Sequence, residues 1–468
     1  MACVNFAGVG YVREIVWPGA VWRPPPGKGG AALHAALVAC PGSCIRRLGG
    51  TRAREMQFTR FLRNGSVTVA EMMAHARSET GQRVAGREVV VVQDTSEVVL
   101  GGRRARARGF GPVGGGGVLS GVLLHAVLAV EAGPGGGLLG LVAGTMWNRE
   151  GGQRVGPRRH RATSEKESQR WLDGTARAAE ALASASRITM VADRESDIYE
   201  LFAKRPSNVD LVVRVAQDRR IETEGEESGL LFAFADGLPE QGRLRVSLSA
   251  LPGRPAREAD CAVRYSSVVL RKPLHGAARD LPKSVTLTLV DVREISCPVG
   301  ASPLHWRIFT TREVSTLDQA RRVRDLYRQR WMIEEFFRSL KSGGFDIEDA
   351  EIGEPRALIN FVGAATVAAV TAMQLVQARD GTTGQSLSDA FDLADQPILE
   401  AVSAKLEGKT KRQKNPHPKG SLAFASWVIA RLGGWTGYYG KPGPRVMNRG
   451  LTDFQQIRYG TTLGLQDV

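Results

Sequence analysis

The sequence predicts an α/β fold: a sheet whose central strands end in aspartate, interrupted by a β-rich stretch before a long amphipathic helix. Three observations carry this. REVVVVQD (87–94) and RITMVAD (187–193) are continuous apolar runs rich in β-branched residues, the pattern of strands buried on both faces. From about 209 to 311 the segments VDLVVRVA, RLRVSLSA, CAVRYSSVVL, SVTLTLVDV and WRIFTT all have strand character. Helical periodicity surrounds these runs, and 468 residues suffice for two or three domains at roughly 150 residues each.

Taken in order, residues 1–45 are rich in Gly and Pro and weak in pattern. Phe58, Phe61 and Leu62 stand at i, i+3, i+4 and start the helical signal, and Thr68 with Glu71 forms a capping-box pattern for the next helix. The first apolar strand ends at Asp94, and a Gly/Arg stretch (101–117) follows. VLLHAVLAV and LLGLVAGTMW predict a hairpin around the Gly/Pro loop 133–137. After a basic loop (149–162), Ser164 and Glu167 cap a helix running to about Ser186, and the second strand ends at Asp193. Ser315 or Thr316 caps a single long helix that Gly343 and Gly344 stop. The uncharged stretch 357–378 is Ala-rich and carries Asn360, Thr366, Thr371, Gln374 and Gln377, so it is expected to be a core helix and not a membrane span. KLEGKTKRQKNPHPKG (405–420) is a basic, polar linker or loop. No internal repeat is present.

The charge balance points to a polyanion. Lys+Arg is 63 against Asp+Glu 48, a net charge of +15, and 51 of the cations are Arg, whose fork suits phosphate. Nucleic acid is the first expectation and an anionic membrane surface the second. The five cysteines, Cys3, Cys40, Cys44, Cys261 and Cys297, are scattered and fit a reducing cytoplasm. Cys40 and Cys44 have no second Cys/His pair nearby to complete a zinc site. Pro18 and Pro24 to Pro26 interrupt any apolar run that could serve as a signal peptide.

The chemistry begins with the two strand-end carboxylates. Asp94 and Asp193, at the ends of neighbouring buried strands, converge at one sheet edge, where α/β sheets place ligands. Two such carboxylates repel, and oxygen-only ligands suit Mg²⁺ or Mn²⁺. A third member is expected from residues 325–344. On a continuous helix Tyr327, Arg330, Glu334, Arg338 and Lys341 fall within about 80° of one another, next to an apolar stripe of Leu326, Ile333, Phe336, Phe337 and Leu340. Alone, this face reads as a solvated one with i,i+4 ion pairs. Beside two strand-end aspartates, Glu334 becomes a third carboxylate flanked by phosphate-binding cations.

These residues carry a resemblance. Asp94-Thr95-Ser96, Asp193-Arg194-Glu195 and Tyr327-x2-Arg330-x3-Glu334-x6-Lys341 are similar to the DDE transposases of the insertion-sequence-four family. GFGPVG (109–114), GVLLHAVLAV (121–130), SEKESQRWLDG (164–174), VADRESDIYELFA (191–203), VVR (212–214) and ARLGGW (430–435) extend it over roughly residues 48–460.

The resemblance implies a ribonuclease H-like catalytic core with a β-rich insertion and small, mostly helical N- and C-terminal regions. The parts would be a DNA-binding-like region 1–80, core 81–205, insertion 206–311, core completion 312–378 and a dimerisation-like region 379–468. It implies Asp94, Asp193 and Glu334 as a triad binding two Mg²⁺ or Mn²⁺ ions, one activating water or a DNA 3′-hydroxyl and the other stabilising the leaving oxygen. Arg214, Tyr327, Arg330 and Lys341 would contact DNA, with Arg338 on the same helix face, and Trp306 would stack on a flipped base.

The implied activity is cut-and-paste transposition. The transposon end is nicked, a hairpin forms and opens, and the ends join target DNA. The partners would be double-stranded DNA with terminal inverted repeats, target DNA and a second copy of the chain in a homodimer, with no membrane. The location would be the bacterial cytoplasm, at the nucleoid. Two alternatives compete: a non-catalytic relic or regulator that binds DNA or dimerises without recognising ends, and a metal-dependent nuclease without strand transfer. The intact carboxylates favour the enzyme, and residues 1–45, which lack a basic amphipathic helix, favour the relic.

Overall fold

The computed structural model describes residues 13–14, 29–100, 109–114, 117–133, 135–149, 163, 166–223, 226–248, 255–274, 280–438 and 440–464. Most of the Gly/Arg stretch 101–117, nearly all of the basic loop 149–162, and Ser164 lie outside them.

Among the described residues thirteen strands form one mixed sheet. They are β1 (Arg13–Glu14), β2 (Glu88–Val99), β3 (Gly111–Val113), β4 (Leu119–Glu131), β5 (Leu138–Asn148), β6 (Arg187–Ala192), β7 (Val209–Arg214), β8 (Arg220–Thr223), β9 (Glu226–Leu230), β10 (Gly242–Leu248), β11 (Arg257–Arg271), β12 (Ser284–Glu294) and β13 (His305–Thr310). The order is β1-β5-β4-β2-β6-β7-β13-β12-β11-β8-β9, with β10 pairing β11 and β3 pairing β4. Strands β4 and β5 form the expected antiparallel hairpin. Strand β6 runs parallel to both β2 and β7. Strand β13 pairs antiparallel with β7, so the β-rich segment continues the same sheet.

The helices are α1 (Gly30–Ala39), α2 (Ile45–Gly49), α3 (Arg52–Arg63), α4 (Val69–Arg83), α5 (Gln169–Ala181), α6 (Tyr199–Ala203), α7 (Leu231–Gly237), α8 (Leu317–Arg328), α9 (Trp331–Lys341), α10 (Pro355–Ala378), α11 (Gln396–Leu406), α12 (Leu422–Leu432) and α13 (Pro444–Gly464). Thr68 caps α4, and Thr316 with Gln319 forms a full capping box on α8. Helix α5 is shorter than expected and starts after Ser168.

Strand alternation sorts the side chains onto two faces. Val90 and Val92 join a core built with α8, α9, α10 and the N- and C-terminal helices. Val89 and Val91 join a second core built with α5, α6 and α7. Helix α10, which carries the uncharged stretch 357–378, is almost wholly buried in the first core, as its polar residues foretold: Asn360 Nδ2 donates to Leu62 O and Gln374 Nε2 to Leu138 O. Cys40, Cys44, Cys261 and Cys297 are free thiols.

Two expectations need correction. Strand β2 does not end at Asp94 but runs on to Val99, because β4 keeps pairing with it as far as Val99. The parallel β2–β6 ladder, by contrast, stops at Val92 and Val191. Asp94 therefore sits where two strands part. The long helix is also two helices. At the junction Gln329 N–H bonds Leu326 O and Arg330 N–H bonds Tyr327 O, i to i−3 contacts that tighten the chain into one 3₁₀-like turn.

Candidate functional site

The parting of β2 and β6 opens a notch in the sheet, and Asp94 and Asp193 line it. Asp94 shares the parity of Val90 and Val92, so it faces α8 and α9. Asp193 follows the last residue of β6. Side chains at i and i+3 eclipse in a 3₁₀ turn, so Tyr327 and Arg330 point the same way, one to each aspartate. Tyr327 Oη donates to Asp193 Oδ1 at 3.4 Å, and Arg330 Nη1 lies 3.5 Å from Asp94 Oδ2. The other Arg330 terminal nitrogen bonds Glu334 Oε1 at 2.6 Å. One buried guanidinium thus links the first and third expected carboxylates, and its Nε is buried without an acceptor among the described residues.

Burial, reinforced by the nearby Glu195 and Asp193, pushes the Asp94 carboxyl up to about 6, against the opposing pull of the Thr95 N–H and Arg330. Burial, with the Asp193 carboxylate beside it, raises the Tyr327 phenol.

The remaining expected residues vary in placement. Arg214, on β7, donates to His305 O and also neighbours Tyr327. Trp306, on β13, is only 9% exposed and packs edge-on against the Tyr327 ring at 5.8 Å. Lys341, at the end of α9, lies 3.6 Å from Glu348, whose Oε1 also accepts Val99 N–H. Arg338 is exposed on the same helix. Among the described residues no group of three or more His, Cys, Asp or Glu is close enough to hold a metal ion. Asp94 and Asp193 fit a hard cation chemically, being oxygen donors, whereas Glu334 is turned to Arg330.

A buried relay behind Asp94 escaped the sequence reading. Thr95 projects to the opposite face of the sheet, where Arg170 Nε donates to its Oγ1 at 2.7 Å and His125 Nδ1 stands 2.9 Å away. Gln93 Nε2 donates to Trp171 O and Thr175 Oγ1, so its Oε1 is free to accept from His125 Nε2 at 3.1 Å. Nε2 therefore carries the proton and Nδ1 accepts from the Thr95 hydroxyl. Burial, with Arg170 and Arg177 nearby, holds His125 well below the usual histidine range, which keeps it neutral. Arg170 lies over the Trp147 and Trp171 rings and bonds Glu195 at 2.7 Å. Thr95 N–H, donating to Asp94 Oδ1 at 2.7 Å, couples this relay to the notch. The partners lie 30 to 75 residues apart in the chain, so no local motif could reveal them. Trp331 was also passed over; it is 51% exposed at the start of α9, with the Arg330 guanidinium 5.1 Å from its ring.

Residues 160–370 match the family model described as the transposase DDE domain. The matched span contains Asp193, Arg214, Trp306, Tyr327, Arg330, Glu334, Arg338 and Lys341, while Asp94 precedes it. Strand β6 and the helix pair α8–α9 thus lie within the matched span, and β2 precedes it.

Proposed function

We propose that the chain is a DDE transposase that cuts and rejoins DNA by the cut-and-paste route, nicking transposon ends, passing through a hairpin and joining target DNA. The observation that carries this is the meeting of Asp94, Asp193, Tyr327, Arg330 and Glu334 at the notch between β2 and β6, most of it within the matched DDE domain. The sheet order β5-β4-β2-β6-β7, with β4 antiparallel to β2 and β6 and β7 parallel to it, supports a ribonuclease H-like core. The motifs around these residues support kinship with the insertion-sequence-four family and similarity to the transposon-five transposase.

Asp94 and Asp193 would hold divalent cations, Mg²⁺ or Mn²⁺, with Glu334 joining once Arg330 releases it. Bound there, two such ions would activate the attacking hydroxyl and stabilise the leaving oxygen. The chain's own groups do the rest. Arg330 spans two carboxylates, and a DNA phosphate that took its guanidinium would free Glu334 for the notch. Tyr327 orients Asp193. Arg214, Arg338 and Lys341 supply positive charge along the approach to the notch. The helices of 379–468 would pair two copies on DNA.

The test is incubation of the protein with duplex DNA carrying the element's terminal inverted repeats, with and without Mg²⁺. Nicked, hairpin and excised products that depend on Mg²⁺ are expected; an uncut duplex under all conditions would refute the reading.

A further inference from the structure

We propose that the loop 405–419 is a second DNA-binding surface, which grips the phosphate backbone of a duplex independently of sequence. It rests on the transposase reading only for the identity of the polyanion. The loop joins α11 to α12, elements that do not build the notch.

Lys405, Lys409, Lys411, Arg412, Lys414 and Lys419 are all exposed. Lys419 pairs with Glu400 at 2.7 Å. None of the other five has a carboxylate in ion-pair range among the described residues. The single acid of the segment, Glu407, faces inward, where its Oε1 accepts from Asn415 N–H and the Ser403 hydroxyl.

A solvated charge run needs no fixed backbone, and this one has it. Thr410 N–H donates to Gln413 Oε1 and Gln413 N–H to Thr410 O, closing a capped turn. Gly408 N–H bonds Gln413 O, Asn415 Nδ2 bonds Phe424 O on α12, and Arg431 Nη2 bonds Leu406 O. Four like charges, Lys409, Lys411, Arg412 and Lys414, are thereby held on and beside one ordered turn next to Lys405 at the end of α11, with the local acid withdrawn. Their mutual repulsion is relieved when a polyanion replaces small counterions. The segment has no Phe, Trp or Tyr and one partly covered leucine, so it lacks the apolar face that a membrane-surface element requires. The Gln413 and Asn415 amides are spent within the fold, and a compact cationic turn suits phosphate contact on a duplex.

The experiment compares wild type with the quadruple variant K409A/K411A/R412A/K414A. Each binds a labelled blunt duplex of arbitrary sequence over a series of salt concentrations. Four lost contacts should flatten the slope of log K against log salt by roughly three to four units. K409R/K411R/K414R, which keeps the charge, should retain the wild-type slope and guards against a folding artefact. Binding is read without Mg²⁺ and without cleavage, so failure of the catalytic reading stays distinguishable from failure of this one. A quadruple variant that melts like wild type and keeps the full slope would overturn the proposal. So would loss of binding to phosphatidylserine vesicles with duplex binding unchanged.

Discussion

Arg330 bonds Glu334 at 2.6 Å while its other terminal nitrogen stands 3.5 Å from Asp94. The arginine therefore occupies the place of shared positive charge between two carboxylates expected to act together. Arg330→Gln keeps a hydrogen-bonding side chain and removes the charge. The Asp94 carboxyl should then titrate above its present value of about 6, since Arg330 is one of the groups holding it down. Side-chain carboxyl NMR checks this. An unmoved titration would mean that Arg330 acts on Glu334 alone.

Asp94 also makes stability depend on pH. Its folded value of about 6 exceeds the ordinary 3.8, so between about pH 4 and 6 the native state binds more protons than the unfolded state. Stability should fall as pH rises through that window and level off above it. Asp94→Asn should remove this slope and stabilise the protein at neutral pH by about 1–3 kcal/mol. Mg²⁺ should raise the melting temperature of wild type above pH 6 and leave that of the variant nearly unchanged. Calorimetry across pH, with and without Mg²⁺, reads both effects.

The relay behind Asp94 has its own signature. Thr95→Val keeps the backbone N–H that bonds Asp94 but loses the hydroxyl between Arg170 and His125. It and His125→Ala should lower kcat roughly tenfold with little change in KM, about 1.4 kcal/mol of transition-state stabilisation. His125→Asn, whose Oδ1 can accept where Nδ1 did, should restore most of the rate. A fall in melting temperature with unchanged turnover by the folded fraction would make the relay structural only.

Two tryptophans compete for the base-stacking role. Trp306 is nearly buried against Tyr327, whereas Trp331 is half exposed beside Arg330. Stacking is worth about 1–3 kcal/mol per base. Trp306→Ala should leave nicking near normal and depress hairpin formation about tenfold or more if Trp306 takes the base. A melt alongside a gel resolving nicked, hairpin and blunt products decides. Loss of nicking and hairpin formation together, with a lowered melting temperature, would assign Trp306 to the core. A selective hairpin defect in Trp331→Ala would then assign stacking to the exposed ring.

What the sequence revealed follows from how local each signal is. Val89 to Val92 announced a buried strand, and Ser315 or Thr316 announced a helix start, because both are set by neighbours in the chain. The continuation of β2 to Val99 was hidden because it depends on pairing with β4, more than twenty residues on. The break between α8 and α9 was hidden because Gln329 and Arg330 are good helix formers. Asp94, Asp193 and Glu334 were drawn from apolar runs closed by aspartate and from helix spacing, although β2 runs past Asp94 to Val99. His125, Thr95 and Arg170 were not legible, since only the folded sheet brings them together.

The most direct test is single-turnover cleavage of end-bearing duplex by Glu334→Gln, measured beside a binding titration. The substitution removes a carboxylate charge while preserving shape and leaving the cations in place. Binding within about twofold of wild type is expected, with Mg²⁺-dependent cleavage reduced by roughly three orders of magnitude or more, about 4 kcal/mol. Cleavage at the wild-type rate would contradict the assignment of Glu334, and with it the notch between β2 and β6, as the place where DNA is cut.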